Sequence, residues 1–242
     1  MSDSAVPTDS ATSPPAASFT RAGVWHGMKL TLPYSISALP FGLAFGAAAV
    51  AAGMTPGAAV LMSALAFAGS AQFAVLSLWA SPLPVLAIAL TTLLVNARHI
   101  VMGAALQPFT RGLPGRLVLP LAGGMTDGGF AITLQTMMRG QRDFGVLAGT
   151  IIMQWPVWVG GTALGAVIGA TGLAAKAWGL DVLIAAVFAT AVIGLYRGRG
   201  DILPWLGAVA GTLAALLWLP GNWYILMGAL CAGLAGLLRR HD

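Results

Sequence analysis

The chain contains no glutamate, and only 8 % of its 242 residues are charged. A soluble domain carries about 25 % charged residues, so a chain this poor in charge cannot cover a water-facing surface. The single cysteine, Cys231, excludes an intrachain disulfide and is interpreted as a packing residue. The three histidines are scattered along the chain, which predicts no metal site, and no cofactor motif is present.

Long hydrophobic runs make up most of the chain. The chain is 58 % hydrophobic, and apolar stretches near 20 residues recur from residue 36 to the C-terminus. This length is what a helix needs to cross a bilayer. The sequence therefore predicts an all-α fold, a polytopic transmembrane helical bundle with about seven or eight membrane segments.

The chain divides into a tail and one membrane domain. Residues 1–20 are rich in Ser, Ala, Thr and Pro and lack the apolar core of a signal peptide, so we predict a disordered N-terminal tail. Residues 21–240 form a single transmembrane domain. Its predicted segments are about 30–52, 56–80, 83–106, 117–138, 144–170, 180–196, 202–219 and 223–238.

The basic residues favour a topology with both termini in the cytoplasm. With eight crossings, the cytoplasmic side holds Arg21, Lys29, Arg139, Arg142, Arg197, Arg199, Arg239 and Arg240. The opposite side holds Arg111, Arg116 and Lys176. This asymmetry obeys the positive-inside rule, whereas seven crossings place the last two arginines outside. A re-entrant hairpin in place of the short final pair stays open.

The most informative stretch is FAGSAQF at residues 67–73, in the middle of the second segment. It carries Gly69, Ser70 and Gln72 where a bilayer offers no water. An unpaired polar group there costs several kcal/mol, roughly 4–8 on the cyclohexane scale, so the stretch faces protein or a watery cavity. A helix break also frees N–H groups that bind a carboxylate. The sequence indicates half of a small-solute transport site, with close helix packing as the alternative.

Further breaks are predicted at Pro40 and Gly42 in the first segment and at Pro156 in the fifth. The sequence around Gln72 is weakly similar to that around Gln154, 82 residues later. If the two similar sequences mark two repeated units of three membrane crossings each, the second unit has the opposite orientation in the membrane. This predicts the 3+3 inverted repeat of many secondary transporters.

Arg98 and Asp127 are charges inside predicted membrane segments. Each costs about 2.5–3.5 kcal/mol at a helix centre, so a partner or a cavity is required. In consecutive antiparallel segments the two residues have similar depth. They are predicted either to form a structural ion pair or to bind the two charges of a zwitterion. Asp127 and His99 are also candidates for proton coupling, with packing as the alternative for the histidine.

Neutral polar groups complete the predicted substrate site. These are Gly69, Ser70, Gln72, Asn96 and Gln154, acting with Arg98. Candidate apolar walls are Phe41, Phe45, Phe67, Phe73 and Phe130, each of which could equally be ordinary packing. No catalytic set, phosphate loop or nucleic-acid-binding pattern is present, so neither an enzyme nor direct ATP use is predicted.

Taken together, several motifs resemble the AzlC family, the large subunit of bacterial branched-chain amino-acid exporters. They are PFG at 40–42, FAGSAQF at 67–73, NARH at 96–99, TD at 126–127 and WLPGNWY at 218–224. The resemblance extends from about residue 23 to residue 238, nearly the whole chain beyond the tail.

The resemblance implies export of leucine, isoleucine and valine, with methionine as a further candidate. It implies a secondary transporter of the bacterial inner membrane driven by the proton gradient or the membrane potential. It also implies a small hydrophobic partner of the AzlD type. A non-transporting scaffold subunit, a channel and a transporter of another small apolar solute are the alternatives.

One position departs from the family pattern. Members usually carry Thr-Asp-Glu where this chain has Thr126, Asp127 and Gly128. If this glutamate takes part in proton coupling in other members, then proton coupling or substrate preference differs in this chain. If it is only a packing residue in other members, its absence has no consequence for function.

Overall fold

The computed structural model describes residues 17–171, 198–218 and 223–237. The regular structure within these ranges is helical, apart from one isolated bridge between Ser18 and Asp143. The all-α prediction is therefore confirmed for the described part of the chain. The sixth predicted segment and the turn between the last two helices lie outside the described residues.

The helices are numbered in chain order. They are α1 (Arg21–Ala51), α2 (Pro56–Ala66), α3 (Gly69–Leu76), α4 (Val85–Asn96), α5 (Arg98–Leu106), α6 (Gly115–Gly123), α7 (Asp127–Met138), α8 (Gly145–Ala170), α9 (Ile202–Trp218) and α10 (Trp223–Leu237). Short 3-10 turns cover Gln107–Phe109 and Arg199–Asp201.

Three helical stretches are long and apolar enough to cross a membrane. Within the described ranges they are α1 with 31 residues, the run Val85–Phe109 with 25 and α8 with 26. At 1.5 Å per residue, even the shortest exceeds the hydrocarbon thickness of about 30 Å. Helices α2 and α9 are apolar but shorter. A helical membrane protein is supported, whereas the total of seven or eight crossings stays a prediction.

Helices α1 and α8 pack against each other along nearly their whole length, and glycines permit it. A Cβ on Gly46 would lie 2.1 Å from the Thr162 carbonyl oxygen, and one on Gly165 would lie 1.9 Å from that of Leu43. The two backbones therefore touch at these positions. Because lipid offers no hydrophobic drive for helix association, such close van der Waals contact is what stabilises the pair.

The predicted helix breaks at Pro40, Gly42 and Pro156 are wrong. Helix α1 continues through Pro33 and Pro40, and α8 continues through Pro156. A proline removes one backbone hydrogen bond, but neighbouring helices and local adjustment make it tolerable in a membrane helix. Gly42 serves packing instead, because a Cβ there would lie 2.8 Å from the Trp158 carbonyl oxygen.

The break in the second segment is confirmed, and two similar interruptions accompany it. Helix α2 ends at Ala66, Phe67 adopts a left-handed φ of 39°, and α3 begins at Gly69. Ala97 separates α4 from α5, and residues 124–126 separate α6 from α7. The weak sequence similarity around Gln72 and Gln154 is therefore not matched by similar structure. The second segment is interrupted just before Gln72, whereas α8 is continuous through Gln154. The inverted repeat stays a prediction.

The start of α1 is fastened to the start of α8. The Asp143 carboxylate accepts hydrogen bonds from the backbone N–H groups of Thr20 and Gly145, at 3.0 and 2.9 Å, and from the Thr20 hydroxyl. Ala17 N also donates to the Arg111 carbonyl. These bonds hold residues 17–20, the last part of the predicted tail, in place, and residues 1–16 lie outside the described residues.

Candidate functional site

The three interrupted segments meet at Arg98. Ser70 lies in the first turn of α3, Arg98 begins α5 and Asp127 begins α7. The Arg98 guanidinium donates through Nη1 to Asp127 Oδ2 at 2.6 Å and through Nη2 to Ser70 Oγ at 2.7 Å. We call Ser70, Arg98 and Asp127 the arginine cluster. It brings together residues from three predicted membrane segments, as their similar depth suggested.

The electrostatics of the helix ends explain why this arginine needs its partners. The N-terminus of a helix carries partial positive charge, so it favours anions and disfavours cations. Asp127 in the first turn of α7 agrees with that preference, whereas Arg98 at the start of α5 opposes it. Arg98 is therefore stabilised by the carboxylate of Asp127 rather than by its own helix.

The arginine cluster is open on one side. The side chain of Arg98 is 37 % exposed and that of Asp127 is 58 % exposed. A pair locked in the protein interior would be shielded from solutes. This one can exchange partners with a charged ligand.

Tyr34 on α1 is a neighbour of the cluster that sequence reasoning missed. A Cβ on Gly128 would lie 2.4 Å from carbon atoms of the Tyr34 ring, so the ring covers the backbone of that glycine. Because Gly128 follows Asp127 directly, the ring also lies beside the arginine cluster. The tyrosine thus occupies the space into which a glutamate at position 128 would project.

Gln154 joins the site from α8. Thr126 caps α7 by accepting a hydrogen bond from the Gly129 N–H at 3.0 Å, and its hydroxyl donates to Gln154 Oε1 at 2.6 Å. The Gln154 side chain is 4 % exposed, and its Nε2 is buried with no hydrogen-bond partner. It is a buried unpaired donor on an amide that is bound to Thr126, the residue before Asp127.

His99 follows Arg98 and links two interrupted segments. Its Nδ1 lies 3.1 Å from the carbonyl oxygen of Asn96, and its Nε2 lies 2.9 Å from that of Met125. Carbonyl oxygens only accept hydrogen bonds. A neutral imidazole carries one N–H and satisfies one of them, whereas the imidazolium satisfies both.

A cavity of about 400 Å³ lies against this histidine. Its lining comprises Ala66, Phe67, Ala68, Asn96, His99, Ile100, Ala122 and Gly123. These residues come from the end of α2, the α4–α5 junction and the end of α6. The volume falls within the range of about 300–1,000 Å³ that is usual for small-molecule sites.

Gln72 is not part of the arginine cluster. Its side chain is 2 % exposed and lies in a closed ring of hydrogen bonds between α2, α3 and α8. Trp158 Nε1 donates to Gln72 Oε1 at 3.0 Å, and Gln72 Nε2 donates to Ser63 Oγ at 2.9 Å. Ser63 and Thr162 hydroxyls lie 2.8 Å apart, and Thr162 donates to the Trp158 carbonyl at 3.0 Å.

The direction of this ring is fixed. Because the single hydroxyl hydrogen of Thr162 goes to the Trp158 carbonyl, Ser63 must donate to Thr162. Both heavy atoms of the Gln72 amide are then committed to protein partners. The ring fastens both halves of the interrupted second segment to α8, which gives Gln72 a structural task.

We therefore expect Gln72→Leu to lower thermal stability. The change leaves the Trp158 indole N–H without an acceptor and removes one of the two hydrogen bonds of the Ser63 hydroxyl, and a buried unpaired group costs about 1–3 kcal/mol. Ser70→Ala is the matched comparison two residues earlier, and it should keep the melting temperature while lowering transport. Tryptophan fluorescence during heating in detergent measures the first effect. If Gln72→Leu keeps the original melting temperature but loses transport, Gln72 is a residue of the substrate site rather than a structural one.

The phenylalanines predicted as walls divide between core and cavity. Phe45 is fully buried, with its ring centroid 5.5 Å from that of Phe73 in an edge-on arrangement. Phe130 packs on a second cluster around Phe144. Phe67 lines the cavity beside His99.

In the described ranges no three His, Cys, Asp or Glu residues are grouped as a metal site would require.

Comparison with known proteins gives three relatives that match along most of their length. The chain is 28 % identical to "Inner membrane protein YgaZ" of Escherichia coli K12 over 88 % of this chain and 89 % of that protein. It is 26 % identical to "Branched-chain amino acid transport protein AzlC" of Bacillus subtilis, over 91 % and 88 % respectively. An "Uncharacterized membrane protein" of Archaeoglobus fulgidus is 30 % identical over 88 % and 91 %.

No solved structure matches the chain. A family profile described as "AzlC protein" matches residues 33–171. The matched region contains α2 to α8 and residues 33–51 of α1, so it contains the arginine cluster, Tyr34, His99 and Gln154. The chain belongs to the AzlC family.

Proposed function

We propose that the protein is a secondary transporter that exports branched-chain amino acids across the bacterial inner membrane. Its substrates are leucine, isoleucine and valine, with methionine as a further candidate. The relationship to a branched-chain amino-acid transport protein supports this class of substrate. The protein is a transporter rather than an enzyme in this proposal.

The observation that carries the proposal is a set of unpartnered polar atoms. In the described ranges, five buried side-chain nitrogen or oxygen atoms have no hydrogen-bond partner. Three of them belong to residues of this site: the donors Arg98 Nε and Gln154 Nε2 and the acceptor Asn96 Oδ1. Buried polar groups are normally paired, so a polar ligand that hydrogen-bonds to these three atoms would remove the cost of leaving them unpaired.

The chemistry of these atoms fits an amino-acid zwitterion. The carboxylate needs donors, which Arg98 and Gln154 supply, and the start of α3 adds partial positive charge beside Ser70. The ammonium needs acceptors, which Asn96 and the Asp127 carboxylate supply. In this proposal the substrate separates Arg98 from Asp127 by giving each residue a new partner of opposite charge.

Apolar surface beside the polar atoms accounts for the preference for branched aliphatic side chains. Ala66, Phe67 and Ile100 line the cavity of about 400 Å³ together with Ala122. No Lys, Arg, Asp or Glu lines it. Such a lining accepts an aliphatic side chain and penalises a charged one, because an unpaired charge there would lose its hydration.

The energy source in this proposal is the proton gradient or the membrane potential. Asp127 and His99 are the candidate proton carriers. A small AzlD-type membrane subunit completes the transporter, both termini face the cytoplasm, and the segments follow an inverted-repeat plan. The basic residues of the loops support the orientation through the positive-inside rule.

The direct test is amino-acid efflux from cells preloaded with an isoleucine-containing dipeptide. The chain is expressed alone, with the adjacent small membrane protein, or not at all. We expect efflux that requires both proteins and is lost with a protonophore. If both proteins reach the membrane and no apolar amino acid leaves the cells, the chain is a non-transporting subunit or carries another solute.

A further inference from the structure

The cavity beside His99 has the electrostatics of a cation site. Its lining includes the last residues of α2 and the last turn of α6, and the C-terminal end of a helix carries partial negative charge. Asn96, which also lines the cavity, holds an unpartnered acceptor oxygen. An ammonium group with an apolar body fits this combination.

The same place already has one potential cation, the imidazolium of His99. When both ring nitrogens carry hydrogen, they donate to the carbonyl oxygens of Asn96 and Met125, at 3.1 and 2.9 Å. When His99 is neutral, one of the two carbonyl oxygens loses its donor. In the tautomer that keeps its hydrogen on Nε2, the freed oxygen is that of Asn96, which lines the cavity and can accept a hydrogen bond from an ammonium group.

From this geometry we infer that a proton on His99 and the ammonium group of the substrate are alternative occupants of the same site. Each donates to the same carbonyl oxygen, and two cations in one small cavity repel each other. The inference rests on the proposed function and adds to it the means of coupling. Binding of the amino acid expels the proton, and protonation expels the amino acid.

The surrounding charged groups are consistent with this exchange. Arg98 is adjacent to His99 and pairs with Asp127 on α7, and the Tyr34 ring on α1 lies against Gly128, the residue after Asp127. The α2 and α6 residues that line the cavity are apolar or glycine. Among the described residues that line the cavity, His99 is therefore the one whose side chain can carry a proton.

The experiment measures proton release when L-isoleucine binds. The full-length chain, expressed with its small membrane partner and purified in detergent, is titrated with isoleucine in weak buffer containing a pH indicator. We expect proton release on binding. By linkage, the affinity for isoleucine should fall about tenfold for each pH unit on the acid side of the titration. Leucine without its ammonium group, 4-methylpentanoate, should release no proton.

Two variants of His99 give opposite expectations. His99→Gln cannot titrate, so it should bind isoleucine with little dependence on pH and without proton release. His99→Lys keeps a positive charge at neutral pH, so it should bind 4-methylpentanoate but not isoleucine. His26→Gln, which changes a histidine that lines a different cavity together with Arg142 and Asp143, is the matched control and should behave as the original protein.

The outcomes separate this inference from the proposed function. Isoleucine binding that is independent of pH and releases no proton overturns the inference and leaves the proposed function standing. Proton release that persists in His99→Gln also overturns it, because another group would then carry the proton. Absence of isoleucine binding at every pH contradicts the proposed function itself, and the inference falls with it.

Discussion

Exchanging Arg98 and Asp127 for each other should leave a folded protein that no longer transports amino acids. Arg98→Gln and Asp127→Asn should each reduce efflux of isoleucine by about 30-fold or more, since loss of one partner in a hydrogen-bonded charge pair costs about 2–5 kcal/mol. The double variant Arg98→Asp with Asp127→Arg restores an ion pair between α5 and α7. Efflux per folded transporter, quantified against the protein in the membrane, measures the effect.

The exchange separates the two roles that the pair can have. If the pair only fastens two helices, the double variant recovers both folding and efflux. If it recognises the zwitterion, folding recovers and efflux does not, because the guanidinium has left its place beside Ser70 and Asn96. Arg116→Gln, which changes an exposed arginine in the first turn of α6, is the control for lost charge and should retain efflux.

Gly165→Ala should strongly destabilise the protein by adding one methyl group to α8 where it meets α1. The new Cβ would lie 1.9 Å from the Leu43 carbonyl oxygen, and a backbone atom of a packed helix cannot move aside as a side chain can. Overpacking costs about 1–3 kcal/mol, and contact with backbone places this site at the upper end. We expect a clearly lower melting temperature and a smaller folded fraction in detergent.

Gly160→Ala provides the matched control on the same helix. No heavy atom lies within 4 Å of its new Cβ, and alanine favours helix over glycine by roughly 1 kcal/mol. This variant should melt at the same temperature as the original protein or slightly higher. Equal melting of the two variants would show that α1 and α8 are not in backbone contact at Gly165.

The polar residues that interrupt the apolar segments were the features best predicted from sequence. A glycine, a hydroxyl and an amide in mid-segment cannot face lipid, which located the break that begins at Phe67. The closeness of Arg98 and Asp127 was predicted from their similar depth, with an ion pair as one of two alternatives that the cost of a lone charge suggested. Both arguments depend only on the cost of polar groups in the bilayer and on the rise per residue of an α-helix.

Sequence alone could not show that Ser70 and Gln72, both near the break in the second segment, have different roles. Ser70 and Gln72 are two residues apart, which on a helix of 3.6 residues per turn turns them about 200° from each other. Ser70 therefore contacts Arg98, while Gln72 contacts Ser63 and Trp158 on the opposite side. Which face met which neighbour depended on the tertiary packing.

The prolines and Tyr34 show a second limit. Pro40 and Pro156 predicted breaks from a local rule, but the long contact between α1 and α8 keeps both helices continuous. Nothing local distinguishes Tyr34 from other interfacial aromatics. Its role follows from the missing side chain at Gly128, since only a glycine leaves room for the ring beside Asp127.

The central claim is that this chain binds an amino acid at the arginine cluster and carries it across the membrane. Counterflow in proteoliposomes tests this without any driving force. Purified protein, reconstituted with its small partner, is loaded with unlabelled isoleucine and diluted into a trace of labelled isoleucine. We predict transient accumulation of label that valine or leucine inside also supports, and that Arg98→Gln abolishes. Folded protein that accumulates no label with any branched-chain amino acid inside would contradict the account.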